Sequence, residues 1–408
     1  MRRPAPRPDR RWGKAMKRTY LDHIAATPLR PEAFEAMRPF LTNAFGNPQS
    51  LHASGRQALE AVEAAREEVA ALIGASASEI YFTSSGSEAN NFAVKGMAMG
   101  QQARGRHIVV SAIEHTSVLN SVKALERSGF SSTLVPVDRE GRVDPADVVK
   151  ALTKETVLVS VMTANSEVGT IEPVAEIAAA CRSRNVLFHT DAVAAAGNIP
   201  IDVKALGVDA LSLAGDQFYG PKGAAALYVR KGARILPLID GGIQEGGRRG
   251  GTENVAGIVG LGRASALARA EMAARTAALV PLRGRLLDEL PRRIEHVLVT
   301  GSRTDRLPHH ASFCIEFVEG EGMLLFLDMK GIAASSGSAC TSKALKASHV
   351  LLAMGFDHAV AQGSLVFSLI DGATDGDIDT LFEAFPPIVE RLRGMSPLYT
   401  QYLKERGS

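Results

Sequence analysis

Several short stretches of the sequence place reactive or ligand-binding side chains where strands end. In YFTSSGSEANNFAVKG a strand gives way to a Ser/Gly turn and a helix start, and the free N–H groups and hydroxyls around Gly86 and Ser87 can hold a phosphate. Ser85 or Ser87 as a plain helix cap is the simpler alternative. VVSAIEHTSVL leaves His115 at a strand end, in reach of acid–base work, although a lone histidine is more often structural. VLFHTDAVAAAGNIPID ends a strand on Asp191, an acid suited to a protonated ring nitrogen or, more simply, to capping the next element. LSLAGDQFYGPKGAAALYVR is an apolar strand, a polar break at Asp216 and Gln217, and a Gly-Pro-Lys-Gly turn into a second strand. GGIQEGGRRGGTENVAG is a Gly-rich loop with Thr252 and a pair of arginines, and a flexible linker is its plain alternative. GIAASSGSACTSKAL sets Cys340 in a Ser/Gly/Ala loop, where a thiol is exposed and mobile instead of packed.

The chain that must position these residues has 408 of them, 46% hydrophobic and 22% charged, which describes a soluble globular protein better split into two domains than one. No apolar run reaches the roughly 18–20 residues of a membrane span, so no membrane role is expected. Cys181, Cys314 and Cys340 are far apart and form no CxxC, which speaks against a disulfide framework or a zinc site and for a reducing, cytoplasmic compartment. The formal charge of +2 hides a basic start, because residues 1–18 hold eight Lys or Arg against one Asp and the rest is mildly acidic. MRRPAPRPDRRWGKAMKR cannot bury a core and reads as a disordered arm, with Met16 as an alternative start. Nothing downstream offers a basic, aromatic-interleaved surface, so no nucleic-acid partner is expected.

From Pro31 to Gly74 the periodicity is helical, with Leu59, Val62, Val69 and Leu72 at helical spacing before the Gly74 stop. Short apolar runs (EIYFT, RHIVVSA, STLVPV, TVLVSVM, VLFHTD, ALSLAG, AALYVR) then alternate with amphipathic stretches, the pattern of an α/β fold with a mainly parallel sheet. Near residue 265 a long Ala/Arg/Leu helix leads into fewer strands and helices. The expected division is an arm over 1–18, a large α/β domain over 31–264, and a smaller α+β domain from 19–30 with 265–408. In such sheets ligands gather at strand ends, where the residues above lie.

Taken in order, the pieces resemble the cysteine desulfurases. YLDHIAATP, GNPQSLHASGR, FTSSGSEANN, EHTSVL, HTDA, YGPKG, GGTENV, SSGSACTS and SHVLLAMG recur in that family's order from residue 19 to about 395. The resemblance implies the fold of the type I aminotransferases (class V), pyridoxal phosphate (PLP) as cofactor, a homodimer, and conversion of L-cysteine to alanine with a persulfide left on a mobile cysteine. It further implies that Gly86 and Ser87 hold the phosphate, His115 stacks on the ring, Asp191 pairs with its nitrogen, Thr252 reaches the partner subunit's phosphate, and Cys340 carries the sulfur.

The sequence departs from the family on the ligand side. Where the family has the lysine that forms the Schiff base stands Gln217, whose amide neither condenses with an aldehyde nor takes a proton near neutral pH. Lys222 belongs to the turn motif and does not replace it. Ser166 and Ala194 stand where the family has amide donors toward the cofactor's phenolic oxygen, and Ala214 lacks a phosphate hydroxyl. Asp216 replaces a histidine. Val366 replaces the arginine that grips the substrate carboxylate, a contact typically worth about 2–5 kcal/mol.

The expectation is therefore a degenerate family member, a pseudoenzyme that relays sulfur on Cys340 or docks on an iron–sulfur scaffold, a sulfur acceptor or a donor desulfurase. PLP would bind weakly and non-covalently, if it binds at all. An active PLP-dependent desulfurase is the alternative, and a pocket turned to a different ligand is a third.

Overall fold

The computed structural model describes residues 18–337 and 347–406. The strands in chain order are β1 (Thr19–Tyr20), β2 (Ile80–Thr83), β3 (His107–Ser111), β4 (Ser131–Val135), β5 (Thr156–Ser160), β6 (Leu187–Asp191), β7 (Ala210–Ala214), β8 (Ala225–Val229), β9 (Val297–Val299), β10 (His310–Ile315), β11 (Ile332–Ala333) and β12 (Ser364–Ser368). Each of the seven apolar runs picked out by alternation forms one strand of a single sheet, ordered β2-β8-β7-β6-β5-β3-β4. The pairs from β7 through β6, β5 and β3 to β4 are parallel, while β8 is antiparallel to both β2 and β7.

Side chains on these strands alternate between two cores, as the two-residue period requires. Ile108, Val110 and Leu158 pack with Phe92 and Met97 of the helix Gly86–Gly100. Val109, Val159, Leu211 and Leu213 face the other way, toward Val62 and Val69 of the helix Ala53–Leu72. With both faces covered, each fully buried Leu, Ile or Phe contributes about 1.5–3 kcal/mol relative to exposure.

A further core lies around the antiparallel sheet β9-β10-β12, where Phe313 and Phe367 meet Phe385 of the helix Asp375–Gly394. Leu21 joins this core, and β1 pairs with β11 in parallel. The helix Val255–Arg293 belongs to both bodies, giving Ile258 and Leu261 to one core and Leu279, Leu286 and Leu290 to the other.

The stretch from Pro31 to Gly74 is two helices, Pro31–Thr42 and Ala53–Leu72, joined by a loop that holds GNPQS. Gly74 takes φ +69°, the left-handed stop that glycine permits. Val62, Val69 and Leu72 are buried, but Leu59 is exposed. It departs from the apolar stripe because helical spacing places a residue near a face without fixing where that face ends. No helix among the described residues is long and apolar enough to cross a membrane.

Candidate functional site

The turn after β2 brings the backbone of Gly86 hard against the segment after β6. A Cβ at Gly86 would stand 2.5 Å from Val193 Cγ2 and 3.6 Å from Ala214 Cβ, so only glycine allows this approach. Ser85 is the helix cap, its hydroxyl accepting from the Glu88 N–H at 3.1 Å. Ser87 is therefore not spent on capping. Glu88 also accepts from the Ser84 N–H at 2.9 Å and from the Ser84 hydroxyl.

Four polar side chains from three strand ends form one hydrogen-bonded chain. Asp191, closing β6, accepts from Asn90 Nδ2 at 2.6 Å and from the Val193 N–H at 2.9 Å. The Asn90 amide also donates to Ser117 Oγ at 2.9 Å, and that hydroxyl lies 2.7 Å from His115 Nδ1. Because His115 Nδ1 also accepts the Ser117 N–H at 3.2 Å, the neutral ring carries its proton on Nε2. His115 is thus the N-cap of the helix Thr116–Glu126, and Asp191 caps the turn that follows it. The plain and the functional readings of both residues coexist. Burial raises the Asp191 carboxyl from its ordinary value and the neighbouring His115 opposes the shift, so a cationic partner would favour the carboxylate.

Beside and beneath this chain lie carboxyls that burial has made weak acids. Glu114 is pushed up to about 8 by desolvation, against hydrogen bonds from Ser111 Oγ at 2.5 Å and the Met162 N–H at 2.9 Å. Glu167, bonded by the Ser348 hydroxyl, is raised to about 7. By contrast His189, between the hydroxyls of Ser160 and Ser212, is held neutral with its value lowered to about 3.

The Gly-rich loop is not a free linker. Glu245 is buried, takes a left-handed φ of +49°, and accepts from both Arg66 guanidinium nitrogens at 2.7 and 2.9 Å and from the Phe82 N–H at 2.9 Å. Arg248 donates to the Tyr81 hydroxyl at 2.7 Å, and Arg249 pairs with Glu88 at 2.9 Å. Removing one partner from a buried pair such as Arg66–Glu245 typically costs about 3–5 kcal/mol, so the loop is tightly held. Thr252 is consequently fixed in a cleft that it shares with Phe82, Ser84, Gly223, Arg249 and Asn254, and its side chain is exposed.

Past β7 the opposite end of the site is built differently. Gln217 is buried, with its side-chain amide donating to the Ile24 carbonyl at 3.3 Å. Its backbone carbonyl accepts from Asn198 Nδ2 at 3.2 Å and faces His23 Nε2 at 2.9 Å. Lys222 is exposed in its turn. Val366 is 1% exposed on β12, exchanging backbone hydrogen bonds with Ser335, whose hydroxyl bonds the Asp22 carboxylate. The Ser166 carbonyl accepts from His310 Nε2 at 2.8 Å. Burial raises the carboxyls of Asp22 and Asp216.

The model of the aminotransferase class-V family matches residues 19–381. The chain belongs to that family. It is 49% identical to "Cysteine desulfurase IscS" of Dictyoglomus turgidum, over 94% of this chain and 97% of that one. A solved "NifS-like protein" superposes with a TM-score of 0.86 at 37% identity, covering 92% of this chain and all of that one. A structure described as "SspA in complex with cysteine" superposes with a TM-score of 0.76 at 33% identity, covering 87% of this chain and all of its own. Its relatives thus include cysteine desulfurases along almost the whole chain, and the α/β fold with a mostly parallel sheet is theirs.

Within this class-V fold the residues present suit a pyridoxal phosphate at one end and not at the other. The helix start at Gly86 and Ser87 suits a phosphate, and the Asp191 carboxylate, oriented by Asn90 and the Val193 N–H, suits a protonated ring nitrogen. Asn90 Oδ1 is buried without a partner in the described residues, a sign that this corner is polar beyond its own needs. At Gln217, where the resemblance puts the family's lysine, the side chain offers an amide and no amine. Sequence reasoning missed Asn90 and Ser117. Their signal was faint, a polar residue one turn into a helix and a hydroxyl two residues after His115. Cys340 lies outside the described residues. Cys181 and Cys314 are buried, and burial pushes both thiols up to about 12, which leaves them inert.

Proposed function

We propose that this chain is a sulfur-transfer protein of the cysteine desulfurase kind, serving iron–sulfur cluster assembly with Cys340 as its sulfur carrier. The observation that carries this is likeness at 47–49% identity, over nearly the whole length, to proteins that are cysteine desulfurases. It supports an active enzyme better than any other reading. In that reading the phosphate of the cofactor rests on Gly86 and Ser87, His115 lies on its ring, Asp191 holds its nitrogen, and the Cys340 thiolate takes sulfur from L-cysteine, leaving alanine. The cofactor would supply the electron sink for carbon–sulfur cleavage.

One observation favours a second reading. The position of the family's lysine is occupied by Gln217, buried and bonded to the Ile24 carbonyl, and Val366 stands where the substrate carboxylate would need a cation. In that reading the protein is a pseudoenzyme that receives sulfur on Cys340 from a donor desulfurase, or docks on a scaffold or acceptor, with PLP held weakly or not at all. The two readings separate cleanly. Alanine released from L-cysteine by the PLP-supplemented protein, above a Cys340→Ala control, establishes the active enzyme, and its absence leaves the relay.

A homodimer is part of the proposal. Phe45, Leu51 and Ile243 are 82%, 91% and 76% exposed. Phe45 and Leu51 lie on the segment whose Gln49 donates to Glu253 at 2.9 Å, so an exposed apolar segment meets the loop that holds Thr252. A second copy would cover it and receive Thr252 at its phosphate turn.

A further inference from the structure

One carboxyl touches two places that lie far from it in the sequence and close to each other. Glu167 sits on the turn closed by the antiparallel bridge between Ala164 and Ile171. Asn165 Oδ1 holds that turn by accepting the N–H groups of Glu167 and Val168 at 2.8 and 3.0 Å, while Asn165 Nδ2 donates to the Ile113 carbonyl at 3.0 Å. From there the Glu167 carboxyl accepts from the Ser348 hydroxyl, which also caps the helix His349–Ala353 by accepting the Leu351 N–H at 3.3 Å. The same carboxyl lies against Gly337. A Cβ at Gly337 would stand 2.8 Å from Glu167 Oε2, 3.4 Å from Ser348 Cβ and 3.5 Å from Ser364 Oγ, so this approach requires glycine. Ser364 Oγ is buried and has no partner among the described residues. Two residues before Gly337, Ser335 exchanges backbone hydrogen bonds with Val366 of β12, so the chain is held up to the contact.

Cys340 lies between Gly337 and Ser348 in the sequence. We propose that Glu167 is a positioning residue for Cys340, tying together Gly337 and Ser348, the residues on either side of it that the fold holds. The assignment takes its meaning from the reading of Cys340 as sulfur carrier, but the contacts themselves do not depend on that reading. Desolvation raises the Glu167 carboxyl to about 7 against the Ser348 hydrogen bond, so it changes charge in the range where a thiol begins to ionise. While protonated it has a hydrogen to offer, and the Ser364 oxygen beside Gly337 lacks one. Once ionised it is a desolvated anion with the Ser348 hydroxyl as its donor among the described residues, and the packing on Gly337 must readjust. The titratable neighbours leave this step to Glu167 itself. On β10, His310 faces the Ser166 carbonyl at 2.8 Å with its value lowered to about 3, and the Cys314 thiol is pushed up to about 12. His349 faces the Glu114 carbonyl at 3.0 Å and is lowered as well, and Asp22 is taken by the Ser335 hydroxyl.

The test measures the rate at which iodoacetamide alkylates Cys340 in the full chain from about pH 5.5 to 9.5, read by mass spectrometry of the peptide that carries it. The wild-type profile should show two inflections, the thiol's own and one near pH 7 from Glu167. Glu167→Gln should lose the inflection near pH 7 and keep the other. Ser348→Ala should move it upward by about one pH unit, because the hydroxyl that favours the carboxylate is gone. A carboxyl that merely braced the fold would change the size of the rate and leave the shape of the profile as it was. A single inflection in the wild type, or one near pH 7 that survives in Glu167→Gln, overturns the proposal. The wild-type profile and Ser348→Ala decide the matter even if Glu167→Gln fails to fold. Alkylation needs neither PLP nor a sulfur donor, so a Cys340 that takes up no persulfide would end the sulfur-carrier reading and leave this result standing.

Discussion

The two ends of the site differ in what their polar groups are for. At the end formed by β3 and β6, Asp191, Asn90, Ser117 and His115 are linked in one hydrogen-bonded chain, and each also caps or orients a neighbouring element. At the end after β7, Ala214, Gln217 and Val366 satisfy themselves with backbone contacts, and no cation faces the site from them. The first end would be costly to lose whatever the protein binds, because its residues also complete helix starts and strand ends. The second end carries no such double duty, because its side chains hydrogen-bond only backbone groups among the described residues.

The largest effect is expected from restoring the anchoring end. In the relay reading, wild-type protein incubated with PLP and reduced with borohydride carries no cofactor mass on any lysine, whereas Gln217→Lys carries it on residue 217. In the same reading alanine formation appears only when Val366→Arg is added, since the carboxylate contact is worth about 2–5 kcal/mol. A wild-type protein that already fixes PLP on a lysine would erase the difference between the two ends and support the active enzyme.

A smaller effect comes from three buried carboxyls that are weak acids. The folded values of Glu114 and Glu172, about 8, and of Glu167, about 7, lie above the ordinary carboxyl range, so near neutrality the folded chain binds protons that the unfolded chain has released. The stability they contribute is complete at low pH and is lost as pH rises through 7 to 8. The slope is about 1.4 kcal/mol per pH unit for each carboxyl still protonated. The buried histidines His23, His189 and His310, lowered to about 4, 3 and 3, act in the other direction but only below their ordinary 6.5. Urea unfolding between pH 7 and 9 should therefore show falling stability, and Glu114→Gln should flatten the fall. An unchanged slope in that variant would place Glu114 among the ionised groups.

The smallest effect concerns orientation. Asn90→Leu removes one charged hydrogen bond to Asp191 and frees the Ser117 hydroxyl, a loss of about 1.5–3 kcal/mol. PLP affinity, read by fluorescence quenching without any turnover, should fall by at least tenfold, while Met99→Gln, at an exposed position near the end of the same helix, should leave it unchanged.

Most of the fold was legible because alternation and helical periodicity report burial directly. All seven sheet strands followed from runs such as HIVVS and ALSLA, where one residue in two meets each core. The break between the first two helices was not legible, since GNPQS sits inside a stretch whose periodicity resumes on both sides. The strand-end positions of Gly86, His115 and Asp191 were readable because strand ends are marked by a change of residue type. Asn90 and Ser117 were not, because their roles depend on which side chains meet across different strands. How tightly the Gly-rich loop is held was not legible for a related reason: glycine content speaks of freedom, but Arg66, Tyr81 and Glu88, distant in sequence, remove it.

The most direct test of sulfur transfer as the function is persulfide mapping by mass spectrometry. The protein is incubated with L-cysteine and PLP, with and without an active donor desulfurase, and each thiol is labelled and identified. Persulfide is expected on Cys340 in at least one of the two mixtures, absent from Cys181 and Cys314, and abolished in Cys340→Ser. Cys340 left unmodified in both mixtures would contradict the sulfur-transfer function itself.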